Sequence, residues 1–136
     1  MRWLLPTLLS VVALGALGVT STLALRTLGW PDLILWTAIG YAGVAATLLL
    51  LGETQLRVAP NTGWAIVTAV AAIGGLIMLY LALGRGDPTS VVPVSATYPA
   101  VTMVLAAIVF SQGISPAKVA GTALVIGGVV LITMAR

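Results

Sequence analysis

The side chains in this sequence that can do chemistry are mostly hydroxyls, and they recur at steps of three and four residues. In one long apolar run, Val91, Ser95, Tyr98 and Thr102 follow this spacing, which places them on one face of a helix. Pro99 lies among them, where it removes one backbone hydrogen bond and clashes with the carbonyl four residues earlier. If the run crosses a membrane, that carbonyl needs protein or water beside it. We predict a substrate-binding cavity lined by Ser95, Tyr98, Pro99 and Thr102; the alternative is ordinary packing between helices.

A second row of polar and small residues runs along the first apolar segment, from Thr7 to Ser21. Gly18 and Ser21 lie at its end, and we predict that they face the same pocket from the opposite side, near mid-membrane. Trp36 and Tyr80 could add stacking surfaces to the cavity wall, although an aromatic residue near a helix end is also typical of the belt at a membrane surface. These groups can hold a solute by hydrogen bonds and stacking, and we expect no catalysed reaction.

The composition excludes several kinds of chemistry. The chain has no cysteine and no histidine, which excludes disulfides, thiol catalysis and the usual zinc sites, and we expect no cofactor. Its six basic and three acidic residues are too sparse for a nucleic-acid-binding surface. The acidic residues Asp32, Glu53 and Asp87 lie outside the apolar runs. Because proton relays in membranes use buried ionisable groups, we expect no proton coupling through a buried carboxylate.

The elements that must position these residues are five apolar runs. Of the 136 residues, 60% are hydrophobic and 7% are charged, whereas about a quarter of a soluble domain is charged. Each run is near the ~20 residues that a helix needs to cross a bilayer. We predict an all-α polytopic membrane protein, with one membrane domain over 1–136 and no soluble domain. Its five transmembrane helices are expected at Leu4–Leu25, Leu33–Leu51, Gly63–Leu83, Thr89–Phe110 and Ala117–Met134.

The breaks between the runs carry turn and capping residues. Pro31, Pro88 and Pro116 suit first-turn positions, and Asp87 and Ser115 suit caps. The alternative for the first run is a secretory signal peptide. We disfavour it because the run is longer than the apolar part of a signal peptide and no cleavage-site pattern follows.

The second half of the sequence resembles a known family of membrane transporters. Tyr80–Pro99 is similar to the junction of the third and fourth helices in EamA-type members of the drug/metabolite transporter superfamily. Phe110–Gly121 and Leu124–Val129 are similar to the entry into their last helix. The last three helices also resemble the small multidrug resistance family. Because most EamA-type transporters contain two five-helix repeats of opposite orientation, the resemblance implies a single repeat of a transporter.

Three positions depart from these families. Gln112 stands where the EamA pattern usually has Glu, and the region near Gly18 lacks the membrane-embedded Glu of small multidrug resistance proteins. Residues 37–41 occupy a stretch where EamA repeats often carry Arg. The missing charges favour passive or exchange-type transport of a neutral, zwitterionic or amphipathic solute.

Small residues recur every seven positions in the last run. Gly121, Gly128 and Ala135 follow this step, with Ala117 and Leu124 beside them. Small residues at a heptad step let two helix backbones approach closely. The spacing also resembles the dimerisation helix of small multidrug resistance proteins. We predict that these five residues form a homodimer interface; the alternative is packing within one protomer.

The basic residues give no preferred orientation in the membrane. With five spans, one face receives Arg2, Arg57 and Lys118, and the other receives Arg26, Arg85 and Arg136. Because the two faces carry equal numbers of basic residues, the positive-inside rule predicts no orientation. Two oppositely inserted copies could supply the inverted halves that transporters need for alternating access. The alternative is that three positive residues on each side are an accident of small numbers.

We therefore expect a transporter of small amphipathic or hydrophobic metabolites that acts as an antiparallel, dual-topology homodimer in the cell membrane of a bacterium or archaeon. Its predicted partners are a small-molecule solute, membrane lipid and a second copy of itself, with no nucleic acid. One alternative is a subunit of a flippase for polyprenyl-phosphate sugars, since some short members of the superfamily resemble such proteins. The other is a structural membrane subunit without a solute path.

Overall fold

The computed structural model describes residues 4–55, 58–111 and 113–135, and within these ranges the chain forms helices and turns but no strand. Five stretches are long and apolar enough to cross a membrane, and the fourth, Pro88–Phe110, contains two helices. The predicted all-α fold with five spans is confirmed, and the helix ends lie within three residues of the predicted ones. The helices are α1 (Leu4–Leu25), α2 (Trp30–Leu50), α3 (Thr62–Leu83), α4 (Pro88–Ser95), α5 (Tyr98–Phe110) and α6 (Pro116–Met134).

Polar side chains at the starts of three helices make different hydrogen bonds, and two of these residues, Asp87 and Ser115, were predicted as caps. In the first turn of α2, Asp32 accepts a hydrogen bond from the backbone N–H three residues earlier, at 3.1 Å. The Ser115 hydroxyl oxygen accepts the backbone N–H of Lys118 at 3.4 Å, and so it caps α6. Asp87 precedes α4, but its carboxylate accepts a hydrogen bond from the Thr89 hydroxyl instead of from a backbone N–H.

The fourth span is interrupted, whereas the sequence predicted one helix over 89–110. Its two helices meet at a turn formed by Ala96–Thr97. In a continuous helix Pro99 would leave the Ser95 carbonyl without a donor and clash with it, so the break lies where the proline requires it. The hydroxyls of Ser95 and Thr97 donate to the carbonyls of Val92 and Val94, at 2.8 Å and 2.7 Å. These bonds satisfy carbonyls near the interruption.

Contacts divide the chain into two compact units, Met1–Arg85 and Gly86–Arg136. In the first, the N-terminal unit, α1 packs against α2 and α3, and α2 packs against α3. In the second, the C-terminal unit, α4 packs against α6. Most large apolar side chains are exposed, as expected of helices that are apolar all round and face lipid. The buried residues of the described helices are Gly18, Ser21, Tyr80 and Leu83.

Candidate functional site

The N-terminal unit contains a cleft in which the polar side chains of the described lining residues are all hydroxyls. We call it the hydroxyl cleft, and its volume is about 490 Å³. Thr20 and Ser21 come from α1, Thr37 comes from α2, and Tyr80 comes from α3. No charged side chain is among the described residues that line it. The rest of the lining is apolar and consists of Ala13, Ala16, Leu17, Ala24 and Leu33.

The phenol of Tyr80 is oriented by a hydrogen bond to α2. Tyr80 is 3% exposed, and its hydroxyl oxygen lies 3.2 Å from Oγ1 of Thr37. The Thr37 hydroxyl also bonds the Leu33 carbonyl at 2.8 Å, one turn earlier in α2. Because a hydroxyl has only one proton to donate, Thr37 donates to Leu33 and Tyr80 donates to Thr37. The phenol oxygen can therefore accept a further hydrogen bond, but its proton is already used.

Ser21 supplies the unused hydrogen-bonding capacity of the cleft. It is 5% exposed, and among the residues that the structure describes none bonds its hydroxyl. Thr20, by contrast, donates to the Ala16 carbonyl of its own helix at 3.0 Å. No buried side-chain oxygen of the described residues lacks a hydrogen-bond partner, so the Ser21 oxygen is open to the cleft, where a ligand or water can bond it. The cleft thus offers a donor and acceptor at Ser21 and an acceptor at Tyr80.

These groups lie near one end of their helices. Ser21 is four residues before the end of α1, and Tyr80 is three residues before the end of α3. Thr37 is seven residues after the start of α2. At 1.5 Å per residue, all three lie within roughly 11 Å of the same end of the three spans. Ser21 therefore lies roughly 6 Å from the end of α1, and its predicted position near mid-membrane stays a prediction.

Two other predicted residues of this unit lie outside the hydroxyl cleft. Gly18 is buried in α1, and its carbonyl accepts a hydrogen bond from the Thr22 hydroxyl at 2.9 Å, but it is not part of the cleft lining. Trp36 is 65% exposed, although it directly precedes Thr37. Adjacent residues point in different directions from a helix, so Trp36 faces outward.

The C-terminal unit contains a separate groove between α5 and α6, with a volume of about 710 Å³. We call it the α5–α6 groove. Of the predicted cavity residues, Tyr98, Pro99 and Thr102 line it, as does Gly121, which was predicted at the dimer interface. Ser95 is not part of this lining, and its hydroxyl bonds its own helix. The structure thus brings three of the four predicted residues of the fourth span into one groove.

The sequence analysis did not identify two side chains of these sites: Thr37, which orients Tyr80 in the hydroxyl cleft, and Lys118, which brings a positive charge to the α5–α6 groove. Thr37 orients Tyr80 across 43 positions of the chain, and nothing in the local pattern of α2 predicts that contact. Lys118 lines the α5–α6 groove and was predicted only as one of the basic residues on one membrane face. A signal was present for Lys118, because Gly121, Thr122 and Val125 follow it at three- and four-residue steps and line the same groove.

The predicted dimer residues lie along α6. Leu124 is 77% exposed, and Ala135 forms the C-terminal cap of the helix. A Cβ atom built on Gly121 or Gly128 would meet no described side chain within 4 Å. The described contacts of the chain therefore do not require glycine at either position. Ala117, the remaining dimer candidate, is an exposed residue in the first turn of α6.

Several predictions fall on residues outside those that the structure describes. The balance of basic residues on the two membrane faces depends in part on such positions, and it stays a prediction. The departure from the family pattern at Gln112, between α5 and α6, also lies outside the described residues. These residues are Arg2, Arg57, Gln112 and Arg136.

Comparisons with known proteins give one family and one relative. A model of the EamA-like transporter family matches residues 1–134 of the chain. An uncharacterized protein from Methanocaldococcus jannaschii is 26% identical over 104 residues, which cover 74% of this chain and 76% of the relative. No solved structure matches.

Proposed function

Because this chain belongs to the EamA-like transporter family, we propose that it moves a small amphipathic or hydrophobic metabolite across the membrane that holds its five spans. We propose that the hydroxyl cleft contacts this solute. The observation that carries this assignment is the arrangement of Ser21 and Tyr80 in one cleft. Ser21 is a buried residue whose hydroxyl has no described partner and is open to the cleft, and the hydroxyl of Tyr80 is oriented by Thr37. An oriented acceptor and a free donor are what a solute with one polar group requires.

The chemistry of the cleft limits the solute. Hydroxyls can bond a carbonyl, hydroxyl, amide or amine, but they supply no charge to balance an ion. Alanine and leucine side chains form the rest of the wall and suit the apolar part of a solute. A neutral or zwitterionic amphipathic molecule fits this lining best. Because no carboxylate is among the described residues of the cleft lining, binding there does not require a proton to be taken up or released.

We further propose that two copies of opposite orientation form the working unit. Transporters alternate access by moving two inverted halves around a central site, and a single chain of five spans supplies one half. Gly121 and Gly128 support this proposal because they recur at a heptad step on α6, and neither has a described neighbour that would exclude another backbone. The predicted balance of basic residues would allow insertion in both orientations.

Uptake into proteoliposomes tests the assignment of the cleft. The solutes would be a panel of radiolabelled amino acids, nucleobases and cationic drugs, together with polyprenyl lipids. Ala16→Leu places a larger apolar side chain in the cleft lining, and Ala45→Leu makes the same change at an exposed position of α2. We expect uptake of at least one solute by the wild-type protein, its loss in Ala16→Leu and its retention in Ala45→Leu. Equal uptake by both variants would remove the cleft from the transport path.

A further inference from the structure

Within the hydroxyl cleft, the side chains of Thr37 and Tyr80 share a hydrogen bond that joins α2 to α3. From this pair we infer that the cleft selects uncharged solutes whose polar group carries an N–H or O–H, such as primary amides and alcohols. Solutes that can only accept hydrogen bonds, such as ketones and esters, are disfavoured. This inference deepens the proposed function and rests on it, because it takes the cleft to be the place where the solute is held. Thr37 then determines specificity as a positioning residue that acts through Tyr80.

The Thr37–Tyr80 pair has one proton on each hydroxyl and two lone pairs on each oxygen. The Thr37 hydroxyl oxygen lies 2.8 Å from the Leu33 carbonyl, which can only accept, and 3.2 Å from the phenol oxygen. Both bonds form together only when Thr37 donates to Leu33 and Tyr80 donates to Thr37. The phenol oxygen then keeps a lone pair for the solute but has no proton to offer it.

The kind of solute decides how many hydrogen bonds this pair completes. A solute that donates to the phenol oxygen adds its own proton, and the pair then takes part in three bonds. A solute that only accepts must take the Tyr80 proton away from Thr37, so the two protons of the pair still make only two bonds. The difference is one hydrogen bond, which corresponds to roughly two- to tenfold in affinity.

The other hydroxyls of the described lining do not reverse this preference. Thr20 donates to the Ala16 carbonyl at 3.0 Å, so its oxygen is also left only to accept. The Ser21 hydroxyl is open to the cleft and can donate or accept, so it serves both kinds of solute. An ammonium group also donates, but no described residue of the lining carries a negative charge to balance it, and an unpaired charge is costly to bury. An uncharged donor therefore fits the cleft best.

A matched pair of probes tests this inference by equilibrium dialysis in sealed cells. The probes are radiolabelled hexanamide and methyl pentyl ketone, which have the same shape and differ by an NH₂ group in place of a CH₃ group. The purified protein is held in phosphatidylcholine nanodiscs, and empty nanodiscs measure partition into lipid. The measured quantity is the ratio of the two affinities, compared between variants, because the transfer of each probe from water then cancels.

Thr37→Val is the decisive variant, because valine keeps the branched shape of threonine and removes the hydroxyl that accepts the Tyr80 proton. The freed proton can then be donated to a carbonyl. We expect the affinity for methyl pentyl ketone to rise and the amide-to-ketone ratio to fall roughly two- to tenfold. A distorted cleft would lower both affinities, so a gain for the ketone distinguishes a role in specificity from a role in packing.

Two further variants give the result its controls. Thr47→Val makes the same change in α2 at an exposed threonine that donates to the Gly43 carbonyl at 2.9 Å, and it should leave both affinities unchanged. Tyr80→Phe removes the phenol oxygen altogether, so hexanamide binding should fall without a gain for the ketone. The same ratio in wild type, Thr37→Val and Tyr80→Phe would overturn the inference, as would the absence of saturable hexanamide binding by the wild type.

Ala16→Leu separates failure of this inference from failure of the proposed function. It fills the cleft lining with a larger side chain, so it should abolish binding of both probes whatever their ratio. Loss of binding in Ala16→Leu together with an unchanged ratio in Thr37→Val would overturn the selectivity alone. Binding of both probes to Ala16→Leu as to the wild type would mean that they bind elsewhere, and the assignment of the cleft would fail with the inference.

Discussion

Replacing Ser21 by alanine separates a binding role from a packing role more sharply than any other single change in the hydroxyl cleft. Ser21 is 5% exposed, and no described residue bonds its hydroxyl. Removing that oxygen therefore breaks no described bond. The change also improves helix propensity. We expect the free energy of unfolding to stay the same or to rise by up to roughly 1 kcal/mol.

Solute binding should change in the opposite direction. A typical hydrogen bond contributes about 0.5–1.5 kcal/mol net, so Ser21→Ala should weaken binding roughly two- to tenfold. Ser10→Ala is the matched control, because Ser10 lies on the same helix, is exposed and donates to the Thr7 carbonyl at 2.7 Å. Both variants gain the same helix propensity, and only Ser21→Ala should lose affinity.

The assay combines thermal unfolding in detergent, followed by tryptophan fluorescence, with binding of the solute that the uptake panel identifies. A Ser21→Ala variant that unfolds at lower temperature and loses binding in proportion would refute this reasoning. That result would mean that the hydroxyl serves packing and that no solute reaches it. Unchanged binding with unchanged stability would also refute it, because the cleft would then hold no group that bonds Ser21.

Three further predictions follow from the same structure. Tyr80→Phe removes the hydrogen bond to Thr37, and hydrogen bonds between membrane helices average about 0.6 kcal/mol. The SDS concentration at the midpoint of unfolding should therefore shift little, while solute binding falls. A large loss of stability would contradict the proposed role of Tyr80. Uptake should persist when an ionophore removes the proton gradient, because the described residues of the cleft lining include no carboxylate; collapse of uptake would contradict this. Gly128→Leu should give folded monomers in size-exclusion chromatography with light scattering, because a bulky side chain blocks close backbone approach. Gly40→Leu, another glycine without described neighbours, should leave the dimer intact, and a dimeric Gly128→Leu would exclude the predicted interface.

The five spans could be predicted from the sequence because a run of about twenty apolar residues is enough to indicate a membrane-crossing helix. A helix that faces lipid needs only an apolar surface of the right length, and that property is local. The interruption at Ala96–Thr97 was predictable in part, since Pro99 was expected to loosen the helix there. Its form, a turn between two helices, depends on how the flanking hydroxyls bond their own carbonyls, which a residue pattern does not specify.

The family was also recognisable, and the resemblance to EamA-type transporters is confirmed by a match over residues 1–134. The motifs that carried the resemblance lay in the second half, and the match also covers the first half. The chain is an integral membrane protein of a transporter family, while its substrate, its dimer and its orientation stay proposals.

The site was less predictable because its geometry comes from contacts between helices. Ser21 and Tyr80 were found by residue type and position, and they meet in one cleft. Helical spacing placed Gly18 on the same face as Ser21, yet Gly18 does not line the cleft. Residues that share one helix face can contact different neighbours, so the spacing alone does not show which of them line a cleft. Lys118 was overlooked because a basic residue at a span end is usually an interfacial charge. Only the position of α5 beside α6 makes it part of a groove.

One five-span chain is proposed to supply both inverted halves of the transporter, and labelling of single cysteines tests this proposal most directly. The chain has no cysteine, so Thr54→Cys, between α2 and α3, and Gly86→Cys, between α3 and α4, each introduce one thiol on opposite membrane faces. Both positions are exposed. A membrane-impermeant maleimide applied to intact cells should label roughly half of the protein in each variant if both orientations insert equally. Complete labelling of one variant and none of the other would contradict the antiparallel homodimer.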